Sequence, residues 1–321
     1  MAVLDFEKPL VELEKRVEAL RMQVRLGEAS SGELEKLDRK LKKLRAKVME
    51  GLTPWQRVQL ARHMDRPHTV DFFEGMLEEF VELKGDRMGY EDPAVICGLG
   101  RLKGLPLVVM GHEKGRTPKE RLEHRFGMPH PEGYRKASRL MDLAERFGRP
   151  VLSLVDTPGA YPGVDAEARG QAGAIAQNLL KWANLGVPSV AVVIGEGGSG
   201  GALALAMADR VLMMEHSVYS VISPEGCAAI LWRDEAKKED AAEVLKLTAK
   251  DAMGLGIIHE IVKEPPGGAH RDPEAAIEAV AQACQKHFQE LIRIPQDERK
   301  ALRAQNYRRM GIIRVERAKA K

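Results

Sequence analysis

Apolar residues near the start of the chain recur at spacings of three and four, which is the period of an amphipathic helix. Two such runs are separated by Gly27, a helix stop, and by Ser30, which forms a capping-box pattern with Glu33. The pattern predicts a helical hairpin over residues 1–50. Two arms alone bury little apolar surface, so the seam is expected either to pack on the rest of the chain or to meet another chain. The apolar positions are Leu10, Leu13, Val17, Leu20 and Val24 in one arm and Leu34, Leu37, Leu41, Leu44 and Val48 in the other.

The following segment carries another helix start. Thr53 precedes Pro54, and Gln56 stands where its side chain can reach back to the cap. Helices are predicted from there to about Phe80, with an interruption at Arg66–Pro67. The basic side chains on them are interpreted as a solvent-exposed face, with a contact to a phosphate as the alternative; they are Arg57, Arg62, His63, Arg66 and His68. From Ala94 onward the helical spacing ends, and the apolar residues form continuous runs that are typical of strands. The apolar runs 94–102 and 105–111, joined by Lys103–Gly104, predict two strands and a tight turn.

Strands and helices then alternate along the rest of the chain. This order predicts an α/β core rich in parallel strands, with ligands at the strand ends, in one domain spanning residues 51–321. The expected strands are 151–155, 189–194, 210–214 and 257–262, and the expected helices are 131–147, 165–185, one opened by Ser223–Pro224–Glu225, and a charged helical region from Pro273 to about Arg317.

The stretch from Ser189 to Met207 organises the rest. A β-branched strand runs into glycines, and a helix of small residues is predicted to begin near Gly201. Such a turn leaves backbone N–H groups bare at a helix N-terminus, where they can hold an oxygen that carries or develops negative charge. The candidate residues are Gly197, Gly198, Ser199, Gly200 and Gly201, together with Asp156, Pro158, Gly159, Tyr161 and Gly163 at another strand exit.

Composition narrows the class of protein. The chain has 321 residues, 44% of them apolar, so it can bury a large core. Charged residues make up 30%, but the net charge is only +3, which argues against a dedicated nucleic-acid binder. The three cysteines are far apart and suggest neither a zinc knuckle nor disulfides. With no apolar run of membrane-spanning length and with Asp5 and Glu7 near the N-terminus, the sequence predicts a soluble cytoplasmic protein.

Three chemistries fit a glycine-rich turn. Gly197–Gly201 matches the G-x-S-x-G nucleophile elbow, so a serine hydrolase using Ser199 is an alternative. Its histidine would be His216 or His259, and its acid Asp209 or Asp234. A nucleotide phosphate loop is disfavoured because Gly201 and Ala202 stand where Lys and Ser or Thr are required. In the third, backbone N–H groups alone hold an oxyanion.

Several separated motifs carry a family resemblance. They are Gly195–Ala204, Tyr219–Cys227, Gly111–Arg116, Phe126–Pro129, Pro131–Ala137 and Asp156–Gly163. Together they resemble the carboxyltransferase α subunits of bacterial acetyl-CoA carboxylases, and the resemblance covers essentially the whole chain. Around Asp165–Gly173 the sequence departs from the residues that are usual in the family.

The resemblance implies a crotonase-like fold, a spiral of repeated β-β-α units. It also implies a heterotetramer, α2β2, in which carboxybiotin on a separate biotin carboxyl carrier protein gives its carboxyl group to acetyl-CoA, yielding malonyl-CoA for fatty-acid synthesis. A biotin carboxylase belongs to the holo-complex, and zinc is expected only on the β subunit. In the family a glycine pair of the α subunit binds the ureido oxygen of biotin, and Gly200 and Gly201 occupy that position here. The residues of the loop from Asp156 to Gly163 are expected either to line the biotin pocket or to serve only in forming the turn. Lys114 and Arg116 are expected either at CoA phosphates or at a partner, and a non-catalytic assembly protein of the same fold is a further alternative.

Overall fold

The computed structural model describes residues 3–311. Two helices form the N-terminal hairpin, and the remaining chain builds one sheet flanked by helices. The helices are α1 Lys8–Arg25, α2 Ser31–Glu50, α3 Pro54–Ala61, α4 Thr69–Met76, α5 Pro118–Glu123, α6 Pro131–Phe147, α7 Val164–Ala168, α8 Gln171–Asn184, α9 Ser199–Ala206, α10 Pro224–Trp232, α11 Lys238–Leu245, α12 Ala249–Gly254, α13 Pro273–Leu291 and α14 Gln296–Arg309. The strands are β1 Phe80–Glu82, β2 Val95–Leu102, β3 Leu105–His112, β4 Val151–Thr157, β5 Ser189–Gly198, β6 Arg210–Met214, β7 Val218–Ser220 and β8 Glu260–Val262.

The sheet has the strand order β1-β2-β3-β4-β5-β6-β8, with β7 beside β5. β1, β2 and β3 pair antiparallel, and all later pairs are parallel. The mostly parallel α/β architecture confirms the predicted fold class. β5 changes its neighbour along its length, since Val190–Val193 pair with β6 whereas Glu196–Gly198 pair with β7. In open α/β sheets, ligand sites form where strands part in this way, and here that point is the glycine turn.

Both faces of the sheet are buried. One face, with Val108, Met110 and Val193, packs against α6, α8 and α9, and the other, with Leu152 and Val192, packs against α4 and α13. A strand covered on both faces reads as a continuous apolar run, as β4 and β5 do. This core fixes the strand ends from which the candidate residues project.

Several predicted elements are confirmed. The helical hairpin, the turn at Lys103–Gly104 between β2 and β3, and the helix 131–147 are all present. Thr53 caps α3 by accepting the Gln56 N–H over 3.2 Å, as predicted. The capping box at Ser30 is wrong in detail, because the Ser30 hydroxyl accepts the N–H of Gly32 rather than that of Glu33. The division into residues 1–50 and 51–321 stays a prediction.

Other elements differ from the predictions. The single helix expected over 165–185 is two helices, broken at Gly170, whose φ of 89° lies in the left-handed region. The region from Pro273 is likewise two helices, and residues 312–317 of it lie outside the described residues. Phe80, expected at a helix end, begins the edge strand β1. Within residues 3–311, no helix is both long and apolar enough to cross a membrane.

Candidate functional site

The glycine turn contains no loop residue between strand and helix. β5 ends at Gly198 and α9 begins at Ser199, whose φ of 54° turns the chain back over the sheet. Non-glycine residues rarely adopt this left-handed conformation, which costs about 1 kcal/mol or more. The prediction that the helix begins near Gly201 is therefore off by two residues, and Gly200 and Gly201 are the second and third residues of α9.

The turn packs directly on the loop after β4. A Cβ atom at Gly198 would lie 2.1 Å from the Pro158 carbonyl oxygen, and one at Gly201 would lie 2.5 Å from the Ala160 nitrogen. Both neighbours are backbone atoms that cannot move aside cheaply. Two stretches that the sequence separates by forty residues thus form one surface.

Gly200 and Gly159 differ from their neighbours because their missing side chains leave room. The nearest atom to a Cβ at Gly200 is the Ile175 Cγ2 at 3.8 Å, and at Gly159 it is the Gly198 carbonyl oxygen at 4.0 Å. Main chain without side chains on this surface can be approached closely by a flat ligand.

Tyr161 and Gly163 lie further along the loop in a packed turn. The Tyr161 ring contacts the His130 ring with centroids 4.6 Å apart, and its N–H donates to the Pro129 carbonyl. A Cβ at Gly163 would be 2.3 Å from the Tyr161 ring. These contacts show how the chain holds both residues in the turn, and a role of either residue in lining a biotin pocket remains a prediction.

Asp156 sits at an irregularity between β4 and β5. From the pair Val155–Val193 to the pair Thr157–Gly197, β5 advances four residues while β4 advances two. Such bulges re-aim side chains and are common beside active sites. Here the bulge lets Asp156 Oδ1 accept the N–H of Glu196 over 2.8 Å.

A chain of ion pairs extends from Asp156. Lys114 Nζ lies 2.7 Å from Asp156 Oδ1 and 2.8 Å from Glu196 Oε2, and Arg62 Nε lies 2.6 Å from Glu196 Oε1. Arg62 also bonds Glu225 at the start of α10 over 2.5 Å. The sequence interpretation missed Glu196 and Glu225 and placed Arg62 on a solvent-exposed face. The one available signal was the position of Glu196, a lone charge directly after a buried β-branched run.

These partners keep the groups charged despite burial. Burial alone would raise the pKa of Glu196, but the Lys114 and Arg62 cations lower it to about 2. Burial would lower the pKa of Lys114, and Asp156 and Glu196 raise it instead. Lys114 is therefore held between two carboxylates, whereas Arg116 pairs with Asp71 and stays about half exposed, so a contact of either side chain with a CoA phosphate or with a partner remains a prediction.

A cavity of about 190 Å³ opens beside this network. Its wall combines the ion pairs with the loop after β4, so the cavity and the glycine turn share Pro158. The lining residues include Arg62, Lys114, Phe126, Asp156, Pro158 and Glu196.

The residues proposed for a serine hydrolase are not brought together. His216 is within 2.7 Å of Arg57, and His259 accepts the N–H of Val211 over 3.0 Å. Asp209 is buried against Ser189 and Arg303, and Asp234 caps a short helical turn. Among residues 3–311, no hydrogen bond joins Ser199 to any of these four residues.

Comparison with known proteins finds a matching family and several similar proteins. The family described as acetyl co-enzyme A carboxylase carboxyltransferase-like matches residues 3–311. The acetyl-coenzyme A carboxylase carboxyl transferase subunit alpha of Thermus thermophilus is 56% identical over 289 residues, which cover 90% of this chain and 92% of that protein. The subunit of the same name from Syntrophotalea carbinolica is 53% identical over 311 residues, covering 97% and 98%.

Solved structures agree on the fold. The transcarboxylase 12S structure superposes with a TM-score of 0.55 at 21% identity, covering 69% of this chain and 42% of that one. A Pseudomonas malonate decarboxylase hetero-dimer gives a TM-score of 0.56 at 18% identity, covering 74% and 95%. The relatives named as carboxyl transferases and the dispersed Ser199, His216 and His259 show that the serine-hydrolase alternative is wrong.

Proposed function

Because the chain belongs to the family of acetyl-CoA carboxylase carboxyltransferase α subunits, we propose that it helps to transfer a carboxyl group from carboxybiotin to acetyl-CoA, giving malonyl-CoA for fatty-acid synthesis. The observation that carries this proposal is the first turn of α9, where Gly200 and Gly201 follow a strand with no intervening loop. In this proposal no side-chain base from this chain is required, because the backbone of that turn supplies the donors.

The two glycines supply the donors. The first four N–H groups of a helix have no partner within the helix, and the helix dipole makes this end positive. The N–H groups of Gly200 and Gly201 belong to this set. When bound, biotin supplies the carboxyl group and a ureido oxygen on which negative charge develops. The Gly200 and Gly201 N–H groups donate to that oxygen, and a preorganised donor of this kind is worth about 2.7–4 kcal/mol.

The surface around the turn fits a flat ring. Gly200 and Gly159 leave room above the main chain, whereas Gly198 and Gly201 are locked against the loop after β4. The surface is thus open where a ligand would approach and rigid beneath. Gly197 and Ser199 contribute main chain to this surface, and Asp156, Pro158 and Gly159 form its second edge, with Tyr161 and Gly163 holding the far end of the loop.

The site is completed by other chains in this proposal. Leu203 in α9 and Val221, which directly follows Ser220 beside Gly198, are exposed, as are Ile230 and Leu231 in α10. Exposed apolar side chains next to a site are typical of a protein interface. We assign this face to the β subunit in an α2β2 assembly, with zinc on that subunit, and to a biotin carboxyl carrier protein that delivers the biotin. A biotin carboxylase would recharge that carrier.

The proposal is tested by co-expressing the chain with a zinc-containing β subunit and measuring malonyl-CoA formation from the carboxylated carrier and acetyl-CoA. Gly200→Pro removes one donor, whereas Gly200→Ala keeps it and has room for its methyl group. The proline complex is expected to transfer about 10²–10³-fold more slowly than the alanine complex.

Gly201 suits this comparison less well, because any Cβ there would meet the Ala160 nitrogen at 2.5 Å. Both Gly200 variants should co-purify with β, and because proline also restricts the backbone conformation of the preceding Ser199, transfer is compared per assembled complex. An assembled proline complex that matches the alanine complex in transfer would show that the turn does not hold the oxygen.

A further inference from the structure

Two buried polar side chains lie beneath the first turn of α9. His112 ends β3 and Tyr134 belongs to α6, and both are 0% exposed. Within the described residues, the Tyr134 hydroxyl has no hydrogen-bond partner, and the His112 ring nitrogens make no hydrogen bond of full geometry, although the Gly201 backbone lies within reach of the ring. Buried polar groups are nearly always paired, so two side chains without a complete hydrogen bond at one place are an exception that needs a cause.

Both side chains meet Gly201. The Tyr134 hydroxyl lies 2.9 Å from the position of the Cβ that Gly201 lacks, so it fills the space of that absent side chain. The His112 ring lies within hydrogen-bonding reach of the Gly201 backbone, an interaction that raises the pKa of His112. Burial, helped by the Lys114 cation, nevertheless lowers the pKa of His112 to about 3. The imidazole is therefore neutral near pH 7, with one donor and one acceptor nitrogen.

Stability alone does not explain these two residues. Leaving a buried hydroxyl or imidazole unpaired costs free energy, and an apolar group of the same shape avoids that cost. Phenylalanine in place of Tyr134 would keep the ring and its packing. In the isolated chain, the Tyr134 hydroxyl and the His112 ring nitrogens are thus energetically unfavourable. They lie against Gly201, one of the two proposed donors.

We propose that Tyr134 and His112 are positioning residues for the Gly201 amide. They hold the first turn of α9 from below and gain hydrogen-bond partners on its peptides when an oxygen binds above, so the occupied arrangement is favoured. This inference rests on the proposed function, since it assumes that the Gly201 N–H is a donor in the reaction. Neither side chain touches the substrate, because both lie behind the glycine and are fully buried.

The decisive variant is Tyr134→Phe in the assembled αβ complex. We expect its melting temperature to be equal or higher and its kcat to fall by about tenfold or more, with the KM for acetyl-CoA within about twofold. A purely structural hydroxyl would move stability and leave kcat alone. Ser153→Ala is the matched control, because the Ser153 hydroxyl is also buried without a partner in the described residues but lies in the middle of β4. Its kcat should not change.

His112 gives a second, independent measurement. His112→Asn keeps a donor and an acceptor, whereas His112→Leu keeps neither, so the asparagine complex should retain the larger kcat. Its pH profile above pH 6 should keep the shape of the parent profile, because a group with a pKa of about 3 does not titrate there. Loss of a limb of the profile in the asparagine variant would show that His112 acts as an acid or base and would overturn the positioning role.

Gly200→Pro, measured in the same assay, separates the two proposals. If Gly200→Pro abolishes transfer while Tyr134→Phe keeps kcat within about twofold of the parent, the positioning role is overturned and the proposed function stands. If Gly200→Pro transfers normally, the proposed function fails and the positioning role fails with it.

Discussion

The backbone N–H of Glu196 donates to Asp156 Oδ1 over 2.8 Å, and this bond closes the bulge at which the two central parallel strands end. The same carboxylate occupies the space beside Gly195, where a Cβ would lie 2.4 Å from Oδ1. The position of Asp156, and with it Lys114, therefore depends on a glycine that makes no polar side-chain contact of its own.

Gly195→Ala should displace the Asp156 carboxylate from both of its partners. Lost hydrogen bonds and overpacking in a buried site each cost about 1–3 kcal/mol, so we expect a clear fall in the free energy of unfolding and in transfer. Urea unfolding of the isolated chain measures the first and the malonyl-CoA assay the second.

Gly173→Ala provides the control for that substitution. Gly173 is exposed in α8, and among residues 3–311 no atom lies within 4 Å of its Cβ position. Alanine is the better helix former there by about 0.5–1 kcal/mol, so this variant should be more stable than the parent. A Gly195→Ala chain as stable as Gly173→Ala would show that the Asp156 carboxylate yields without cost.

Ser199 offers a test of backbone strain at the turn. Its φ of 54° is easy for glycine and most unfavourable for a β-branched residue. Ser199→Gly should therefore raise the free energy of unfolding by up to about 1 kcal/mol, and Ser199→Val should lower it by about 1–2 kcal/mol. Thermal melts of the two variants give the order directly. Equal melting temperatures would mean that the turn relaxes into another conformation.

Local patterns predicted the elements that build the site but not the contacts that complete it. The β-branched runs of β4 and β5 and the glycines between β5 and α9 mark the strand exits, so Asp156 and the glycine turn could be singled out from the sequence. Arg62 and Glu225 could not, because Arg62 meets Glu196 and Glu225 only after folding brings together residues that are 134 and 163 positions apart. An ion pair between residues so far apart in the sequence produces no local sequence pattern.

The wrong boundaries also have physical causes. Gly170 lies within a continuous helical pattern, and a glycine there is compatible with a weak helix position as well as with the left-handed break that the structure shows. β1 has three residues, all exposed, so it shows no alternation of apolar and polar positions. His112 and Tyr134 occur in the sequence analysis only as members of the family motifs, since their position beneath Gly201 is a property of the packed interior.

The hairpin is anchored by one buried carboxylate. Glu7 Oε1 lies 2.8 Å from His270 Nε2 and 3.0 Å from Arg271 Nη2, and the Glu7 side chain is fully buried. Burial would raise its pKa, but these partners lower it to about 2. Removing one member of a buried pair costs about 3–5 kcal/mol, so Glu7→Ala should destabilise the chain strongly and expose the hairpin to proteolysis.

Glu12→Ala is the control, one turn further on in α1, since Glu12 pairs with Arg16 at the surface over 2.9 Å. An exposed pair four residues apart contributes about 0.3–0.5 kcal/mol, so this variant should unfold almost as the parent does. If both alanine variants lose equally little free energy of unfolding, the contacts of Glu7 do not hold the hairpin on the domain.

Acid should destabilise the chain in two stages. Burial, with a smaller effect of the Arg210 cation, lowers the pKa of His259 from the ordinary 6.5 to about 4, and the pKa of His112 is likewise low, about 3. The unfolded chain therefore takes up these protons first as the pH falls. The contribution of these two histidines to the free energy of unfolding is complete above about pH 6.5 and decreases as the pH falls below that value. Glu196 and Glu264, with pKa values of about 2 against an ordinary 4.5, add a second loss below pH 4.5.

His259→Asn isolates one part of the first stage. Each proton taken up only by the unfolded chain contributes about 1.4 kcal/mol per pH unit to the slope of the free energy of unfolding. Urea unfolding between pH 8 and pH 4 should show a slope smaller by up to one proton in the variant, and less than one because the His259 ring is only partly buried. At pH 8 the imidazole is neutral in both states, so the difference there measures the altered packing and the hydrogen bonds of the ring with Val211 and Asn306. Parallel curves for the two proteins from pH 8 to pH 4 would show that His259 titrates alike in the folded and unfolded chain.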